Sequence, residues 1–373
     1  MYVINSFGAG GAERHVLALV GHMVRSGHAI LVVALTGTVV GGAKNIEADL
    51  ITAGAEVATL DTVGSVWLRD ASRWVGLYKM VRSWAPDVLH SHLPRADFAS
   101  SIVKRLLLDT VWISTVHDAY NKVVYSGYWV FRWLNWNWRI ADHVIAVSGH
   151  ARRWVLEVLR VPDAKITTIY HGVALPPASY QTQDGMADGR QFKVGCLARF
   201  EPRKGISTLI KAMVSVCAKY PDARLLIAGS DPCGYGIEMR RLADQLQVGH
   251  AVDIQRFCDT PFDFLRQLDV FAFASVSEGF GVVLLEAMAM GIPIVASDIY
   301  PLNHIVARNE TGMLAIPGDS ESFASALIDL IEKPDLALCM GEAGRNRCLQ
   351  EFSQEKMLKS TESLYFKLAS RSN

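Results

Sequence analysis

Three features of the 373-residue sequence predict an α/β protein made of two consecutive, doubly wound parallel-sheet domains. Short β-branched runs alternate with amphipathic stretches of helical period, a polar turn-rich segment interrupts them near the middle, and the same alternation then resumes. Strands separated by helices call for right-handed crossovers, which cover a parallel sheet on both faces. Half of the residues are hydrophobic, enough for two cores in a chain of this length.

The first domain, residues 1–175, opens on the strand "MYVIN", the helix "AERHVLALVGHMVRSGH" and the strand "AILVVAL". Its later strands are "DVLHSH", "TVWISTV", "DHVIAVS" and "KITTIY". From Pro176 to Gln191 the segment "PPASYQTQDGMADGRQ" has neither strand nor helix period and reads as a linker. The second domain, residues 176–352, continues with "FKVGCLA", a helix from Gly205, "ARLLIAG", a helix from Ile237, "AVDIQ", "DVFAFAS", a helix from Val282 and "IPIVAS", with helices from Glu321 to the end. Sheets of this kind bind ligands beyond the carboxyl ends of their strands, so a cleft between the two domains is the expected site.

Composition narrows the function. No segment has the charged start, apolar middle and small-residue cleavage site of a secretory signal, and no uncharged apolar run is long enough to span a bilayer, which predicts a cytoplasmic protein. Cys196, Cys217, Cys233, Cys258, Cys339 and Cys348 lie far apart, without zinc spacing, and suit a reducing compartment as free thiols. Up to Leu175 there are 17 Lys and Arg against 13 Asp and Glu, and after it 20 against 24, so the halves are expected to meet different partners. Nothing in this balance calls for nucleic acid.

The stretch "SEGFGVVLLEAMAMGIPIVASD" places Glu278 just past a strand end and Glu286 about one turn into the following helix. Taken alone, Glu278 reads as a helix cap and Glu286 as a surface carboxylate. Together with Gly279 and Gly281, which let backbone approach a ligand, and a helix N-terminus rich in unpaired N–H groups, they suit a sugar nucleotide. Carboxylates accept hydroxyl protons while backbone donors face a diphosphate.

This stretch, with its Glu-x7-Glu spacing around Gly-Phe-Gly, resembles the signature of the retaining glycosyltransferases of family four, and the resemblance covers nearly the whole chain. It implies the GT-B fold: two Rossmann-like domains facing a central cleft, with the last helix, 353–373, packing back on the first domain. It also implies a donor site in which Glu278 contacts the sugar, Glu286 the ribose, and the backbone of Phe280, Gly281 and Val282 approaches the sugar or diphosphate. Arg199 and Lys204, in "VGCLARFEPRKGISTLIKA", match the family's diphosphate-binding pair and would stabilise the leaving group. Arg203 reads as a solvated side chain. No Asp-x-Asp occurs, so no metal and no cofactor are expected beyond the nucleoside-diphosphate sugar, most plausibly UDP-linked, which is a substrate.

In the first domain "SFGAGGAERHV" fails the dinucleotide fingerprint, because Glu13 stands where its third glycine belongs. The resemblance turns Gly10 and Gly11 toward the donor phosphates or the acceptor, while Glu13 complements the helix dipole. His117 in "WISTVHDAY" matches a family position near the transferred sugar, with His92 a weaker candidate. Catalytic candidates are therefore His117, Glu278, Arg199 and Lys204. Trp129, Trp133 and Trp136 recur on one helical face with Arg132 and Arg139 nearby; segment 129–139 reads either as core or as a peripheral contact with an anionic membrane. Arg256 and His304 stand where the family often has glycine and glutamate, which leaves base recognition open. The expected reaction is transfer of a hexose-type sugar to a saccharide or lipid-linked acceptor in cell-surface polysaccharide or glycoconjugate synthesis. A GT-B sugar-nucleotide epimerase and a non-catalytic sugar-nucleotide-binding protein are the alternatives.

Overall fold

The computed structural model describes residues 1–8, 10–37, 45–60, 66–118, 138–177, 180, 191–231, 233–256 and 261–370. The chain divides into two compact units, Met1–His171 joined by the segment from Met357 onward, and Gly172–Lys356. The division falls after His171, because Val173 already belongs to the second unit: its N–H donates to Phe352 O at 3.0 Å and its carbonyl accepts from the Gln354 N–H at 3.0 Å. Gly172 permits this pairing, since a Cβ there would stand 2.6 Å from Ser353 O.

The first unit holds a parallel sheet of β1 (Tyr2–Ile4), β2 (Leu31–Ala34), β3 (Glu56–Thr59), β4 (Val88–His92), β5 (Val111–Val116), β6 (His143–Ala146) and β7 (Ile166–Thr168), in the order β3-β2-β1-β4-β5-β6-β7. Successive residues of a strand point to opposite faces. Val3, Val33, Leu89, Trp112 and Val144 thus join one core cluster, while Ile4, Val32, Ile113 and Ile145 join the other. Burial on both faces explains why these strands read as continuous apolar runs rather than alternating ones. The last helix adds Met357, Leu358, Leu364 and Leu368 to the second cluster.

The second unit repeats the plan with β8 (Lys193–Leu197), β9 (Arg224–Gly229), β10 (Val252–Arg256), β11 (Val270–Phe273), β12 (Ile294–Ser297) and β13 (Gly312–Ala315), in the order β10-β9-β8-β11-β12-β13. Two strands escape the sequence pattern, "EVAT" at β3 and "GMLA" at β13. Both lie at a sheet edge, where one neighbour suffices and the apolar demand on each residue falls.

One polar network is sealed inside the first unit. Asp97, only 2 % exposed, accepts through Oδ1 from Ser91 Oγ at 2.7 Å and Ser114 Oγ at 2.8 Å. Trp112 Nε1 donates to Ser91 Oγ at 2.8 Å and Trp138 Nε1 to Ser114 Oγ at 3.1 Å. Among the described residues Asp97 Oδ2 has no partner, and burial raises the carboxyl to about 7, partly opposed by its serine hydrogen bonds. Among the described residues no helix is long and apolar enough to cross a membrane.

Candidate active site

In each sheet the strand order reverses once, between β1 and β4 and between β8 and β11. The loops leaving two such neighbouring strands part in opposite directions and open a crevice at the strands' carboxyl ends. The residues singled out from the sequence gather at these two places, and each place is described within its own unit.

In the second unit the β8 loop makes a tight turn over Pro202–Lys204 before the helix Ile206–Lys219. Gly205 joins them at φ 68°, a left-handed backbone, and a Cβ on it would lie 2.0 Å from Ala274 O. That close approach requires glycine. The loop after β11 is stitched to this turn: the Val276 N–H donates to Arg203 O at 2.9 Å, Ser275 Oγ donates to the same carbonyl at 3.1 Å, and Arg203 Nη1 donates to Ser277 O at 3.2 Å.

The stitching brings Lys204 Nζ to 2.5 Å from Glu278 Oε1, with side chains 11 % and 9 % exposed. Lys204 Nζ also lies 5.5 Å from the centroid of the Phe273 ring. An ammonium has three N–H donors, so the contact with Glu278 leaves two that can turn to another acceptor. Beneath them burial pushes the Cys196 thiol up to about 12, which leaves it protonated and inert. Arg199 Nε donates to Glu201 Oε1 at 2.9 Å, and Arg203 Nε to Glu201 Oε2 at 2.8 Å. Glu201 thereby holds two guanidinium groups side by side. Arg203, expected as a solvated side chain, is 38 % exposed and at the same time ties the two loops together. Its signal was the Glu-x-Arg spacing of "EPRK", which lets one carboxylate reach back over a short turn.

Past Glu278 the chain turns at Gly281, φ 100°, into the helix Val282–Ala289, whose N-cap glycine has no side chain to offer as a cap. Phe280 is 4 % exposed and packs edge-on against Phe352, with ring centroids 6.1 Å apart, so its ring anchors the turn. Glu286 is half-buried on the first turns of the helix. The side chain of Arg256 lies outside the described residues. His304 is half-buried against Tyr300 and Phe352, and its carbonyl accepts from Arg347 Nη2 at 2.9 Å.

In the first unit the helix Gly11–Arg25 follows β1, with Gly10 at its N-cap. The Glu13 carboxylate folds back onto backbone hydrogen bonds at Gly10 and Glu13, and burial raises its pKa in spite of them. A Cβ on Gly10 would meet Glu13 Oε2 at 2.4 Å, whereas the space above Gly11 is open. The Gly10 backbone is therefore engaged by Glu13, and Gly11 is the glycine left accessible to a ligand.

His117 does not present a free ring. Its Nε2 lies 3.0 Å from His92 Nδ1 and its Nδ1 lies 3.3 Å from His171 Nε2. His15 meets the rings of His117 and His171 edge-on, at centroid distances of 5.4 and 4.9 Å. His90 contacts Tyr365 Oη through Nδ1 and Thr115 Oγ1 through Nε2, the latter at 2.7 Å. Sequence spacing could not reveal this cluster, because its members are far apart in the chain: His15 lies on the helix Gly11–Arg25, His92 ends β4, His117 follows β5 and His171 follows β7. Among the described residues no group of three or more His, Cys, Asp and Glu is arranged to hold a metal ion.

Trp129, Trp133, Trp136 and Arg132 lie outside the described residues. Of the same segment, Trp138 is 2 % exposed within the core, and Arg139 Nε donates to Leu159 O at 3.1 Å, so these two side chains are committed to the fold.

Two Rossmann-like units, each with polar residues at its topological switch point, define the GT-B class of sugar-transferring enzymes. Family models match both: Glycosyltransferase Family 4 over residues 9–175 and Glycosyl transferases group 1 over residues 181–347. The chain is 31% identical over 339 residues to the phosphatidyl-myo-inositol mannosyltransferase of Mycolicibacterium smegmatis, covering 88% of this chain and 82% of that one. It is 27% identical over 391 residues to the glycogen synthase of Mycobacterium tuberculosis, covering 95% and 91%. Among solved structures, Anabaena HepE in complex with UDP superposes with a TM-score of 0.83 at 19% identity, over 98% of this chain and 99% of that one. The chain belongs to glycosyltransferase family 4 and is a glycosyltransferase.

Proposed function

We propose that the protein is a retaining, metal-independent transferase that moves a hexose-type sugar from a UDP-linked donor to a saccharide or lipid-linked acceptor in cell-surface polysaccharide or glycoconjugate synthesis. The observation that carries this reading is the Lys204–Glu278 pair at the switch point of the second sheet, with Arg199 on the same loop as Lys204 and the helix from Val282 following Glu278. Relatives support it: one is a phosphatidyl-myo-inositol mannosyltransferase, and the HepE structure is a complex with UDP.

In this reading Lys204 turns its remaining donors to the diphosphate and Arg199 adds a second cation, so that negative charge is stabilised as the anomeric bond breaks. Glu278 accepts from hydroxyls of the sugar and Glu286 from those of the ribose. The backbone of Gly281 and Val282 supplies N–H donors to the phosphates; of the first unit's residues, Gly11 is assigned to the donor phosphates or the acceptor and His117 to the transferred sugar. The acceptor attacks from the face that the diphosphate leaves, and the departing phosphate takes the acceptor's proton.

A thermal-shift and product-release screen of UDP-, GDP- and ADP-sugars, with and without chelator, tests the donor site. One donor is expected to raise the melting temperature in the presence of chelator and to lose that effect in Glu286→Ala and Lys204→Ala. A shift abolished by chelator, or retained in both variants, rules the site out. Conversion of donor to an isomer without transfer identifies an epimerase instead.

The same reading places the enzyme at the cytoplasmic face of a membrane, with segment 129–139 in contact with anionic lipid. Sedimentation with anionic vesicles is expected to carry the protein down at low salt and to fail for the double variant Trp133→Ala/Trp136→Ala. Wild-type protein that stays in the supernatant excludes the contact.

A further inference from the structure

We propose that His92 and His171 are positioning residues that hold His117 in its Nδ1–H tautomer with a fixed ring plane, which withdraws that imidazole from acid–base chemistry. The inference rests on the placement of His117 beside the transferred sugar. The three rings form a chain: His92 Nδ1 to His117 Nε2 at 3.0 Å, then His117 Nδ1 to His171 Nε2 at 3.3 Å. A neutral imidazole carries one N–H and one lone pair, so the two contacts must run in the same direction.

The far end of His92 decides which direction. His92 is fully buried, and among the described residues its Nε2 has no hydrogen-bond partner. If His117 donated to His92, the remaining proton of His92 would sit on that orphaned nitrogen, and a buried N–H without an acceptor is the rarer and more costly defect. If His92 donates through Nδ1, the orphan is a bare lone pair. His117 then accepts at Nε2 and donates through Nδ1 to His171 Nε2. A protonated His117 would force the first, worse arrangement, and burial followed by the proximity of His171 and His90 already holds its pKa well below the ordinary imidazole value.

The ring plane is fixed as well. His171 stacks on His117 at 24° with centroids 5.2 Å apart, and His15 stands edge-on to both. His117 retains partial exposure while both ring nitrogens are occupied, so what it offers a bound sugar is ring surface and backbone rather than a titrating nitrogen. An acceptor proton therefore goes elsewhere, in keeping with its capture by the departing phosphate.

Long-range 1H–15N correlation spectra of histidine-labelled protein at pH 7.5 read the tautomers directly. In the wild type, His117 and His92 are expected to show a protonated Nδ1 and a bare Nε2. In His171→Ala, His117 is expected to move to the Nε2–H form or an averaged one, with kcat lowered roughly tenfold to a hundredfold and KM little changed. His171→Gln, whose amide oxygen can still accept from His117, should restore tautomer and turnover together. A wild-type His117 protonated at Nε2 overturns the assignment without recourse to any variant, as does a His117 spectrum unmoved in a folded His171→Ala. Full turnover in His117→Ala instead removes the catalytic placement of His117, and the wild-type spectrum tells that failure apart from failure of the tautomer lock.

Discussion

Lys204→Ala is expected to lower transfer by at least about a hundredfold, the scale of losing one preorganised charge at a developing anion. It should also destabilise the protein by about 3–5 kcal/mol, because it leaves the nearly buried Glu278 carboxylate without its counter-charge. The two effects separate in a double-mutant cycle. Glu278→Ala alone leaves an unpaired ammonium and should also destabilise, whereas Lys204→Ala/Glu278→Ala should recover part of the loss, with a coupling of about 1–3 kcal/mol, and remain inactive. Urea unfolding of the four proteins, set beside their transfer rates, checks this. Additive stability effects would show that the ion pair is not energetically coupled, and near wild-type turnover in Lys204→Ala would remove Lys204 from the mechanism.

The second large effect concerns Asp97, buried behind the strand that carries His92. Its carboxyl titrates near 7 in the fold against an ordinary value of 3.8. Between those values the folded protein binds the proton that the unfolded chain has released, so stability falls as pH rises through that window and levels off above about pH 7. At about 1.4 kcal/mol per unit the total is on the order of 4 kcal/mol. Asp97→Asn keeps an acceptor for Ser91 and Ser114 but cannot ionise. The difference in unfolding free energy between variant and wild type is therefore expected to move in the variant's favour from pH 4 to pH 8. Measuring the difference cancels the opposite slope of the buried histidines, which gain stability as pH rises through their lowered values. Parallel curves would mean that Asp97 is ionised in the fold.

Much of the architecture was legible because a buried parallel strand has a plain local signature. "DVLHSH", "TVWISTV", "ARLLIAG" and "IPIVAS" each fall on a strand, since both faces of these sheets are covered and every residue must be apolar or paired. "EVAT" and "GMLA" did not announce themselves, because edge strands owe their existence to a neighbour rather than to their own composition. At the candidate site, "EGFGVVLLEAMAM" and "EPRKG" were recognisable as turns at strand ends because a strand end, a glycine and a helix start lie within a few residues of one another. Their partnership was not. Lys204 and Glu278 are 74 residues apart, and only the hydrogen bonds of Arg203, Ser275 and Val276 bring them together.

The histidines mark the same boundary. Strand-end placement could be read for His92 and His117 from the run of apolar residues before each, but their tautomers could not, because a tautomer is set by what the other nitrogen touches. His15, on a helix, and His171, past the last strand of the first sheet, were ordinary residues until the fold converged on them. The sequence by itself determined the class of fold, which rests on local periodicity, the family, which rests on the resemblance of its Glu-x7-Glu stretch, and the places of the turns, which rest on glycines at strand ends. Only the tertiary structure decided which charges pair, which ring nitrogens remain available and which carboxyl keeps its proton, because each depends on burial and on neighbours distant in the chain.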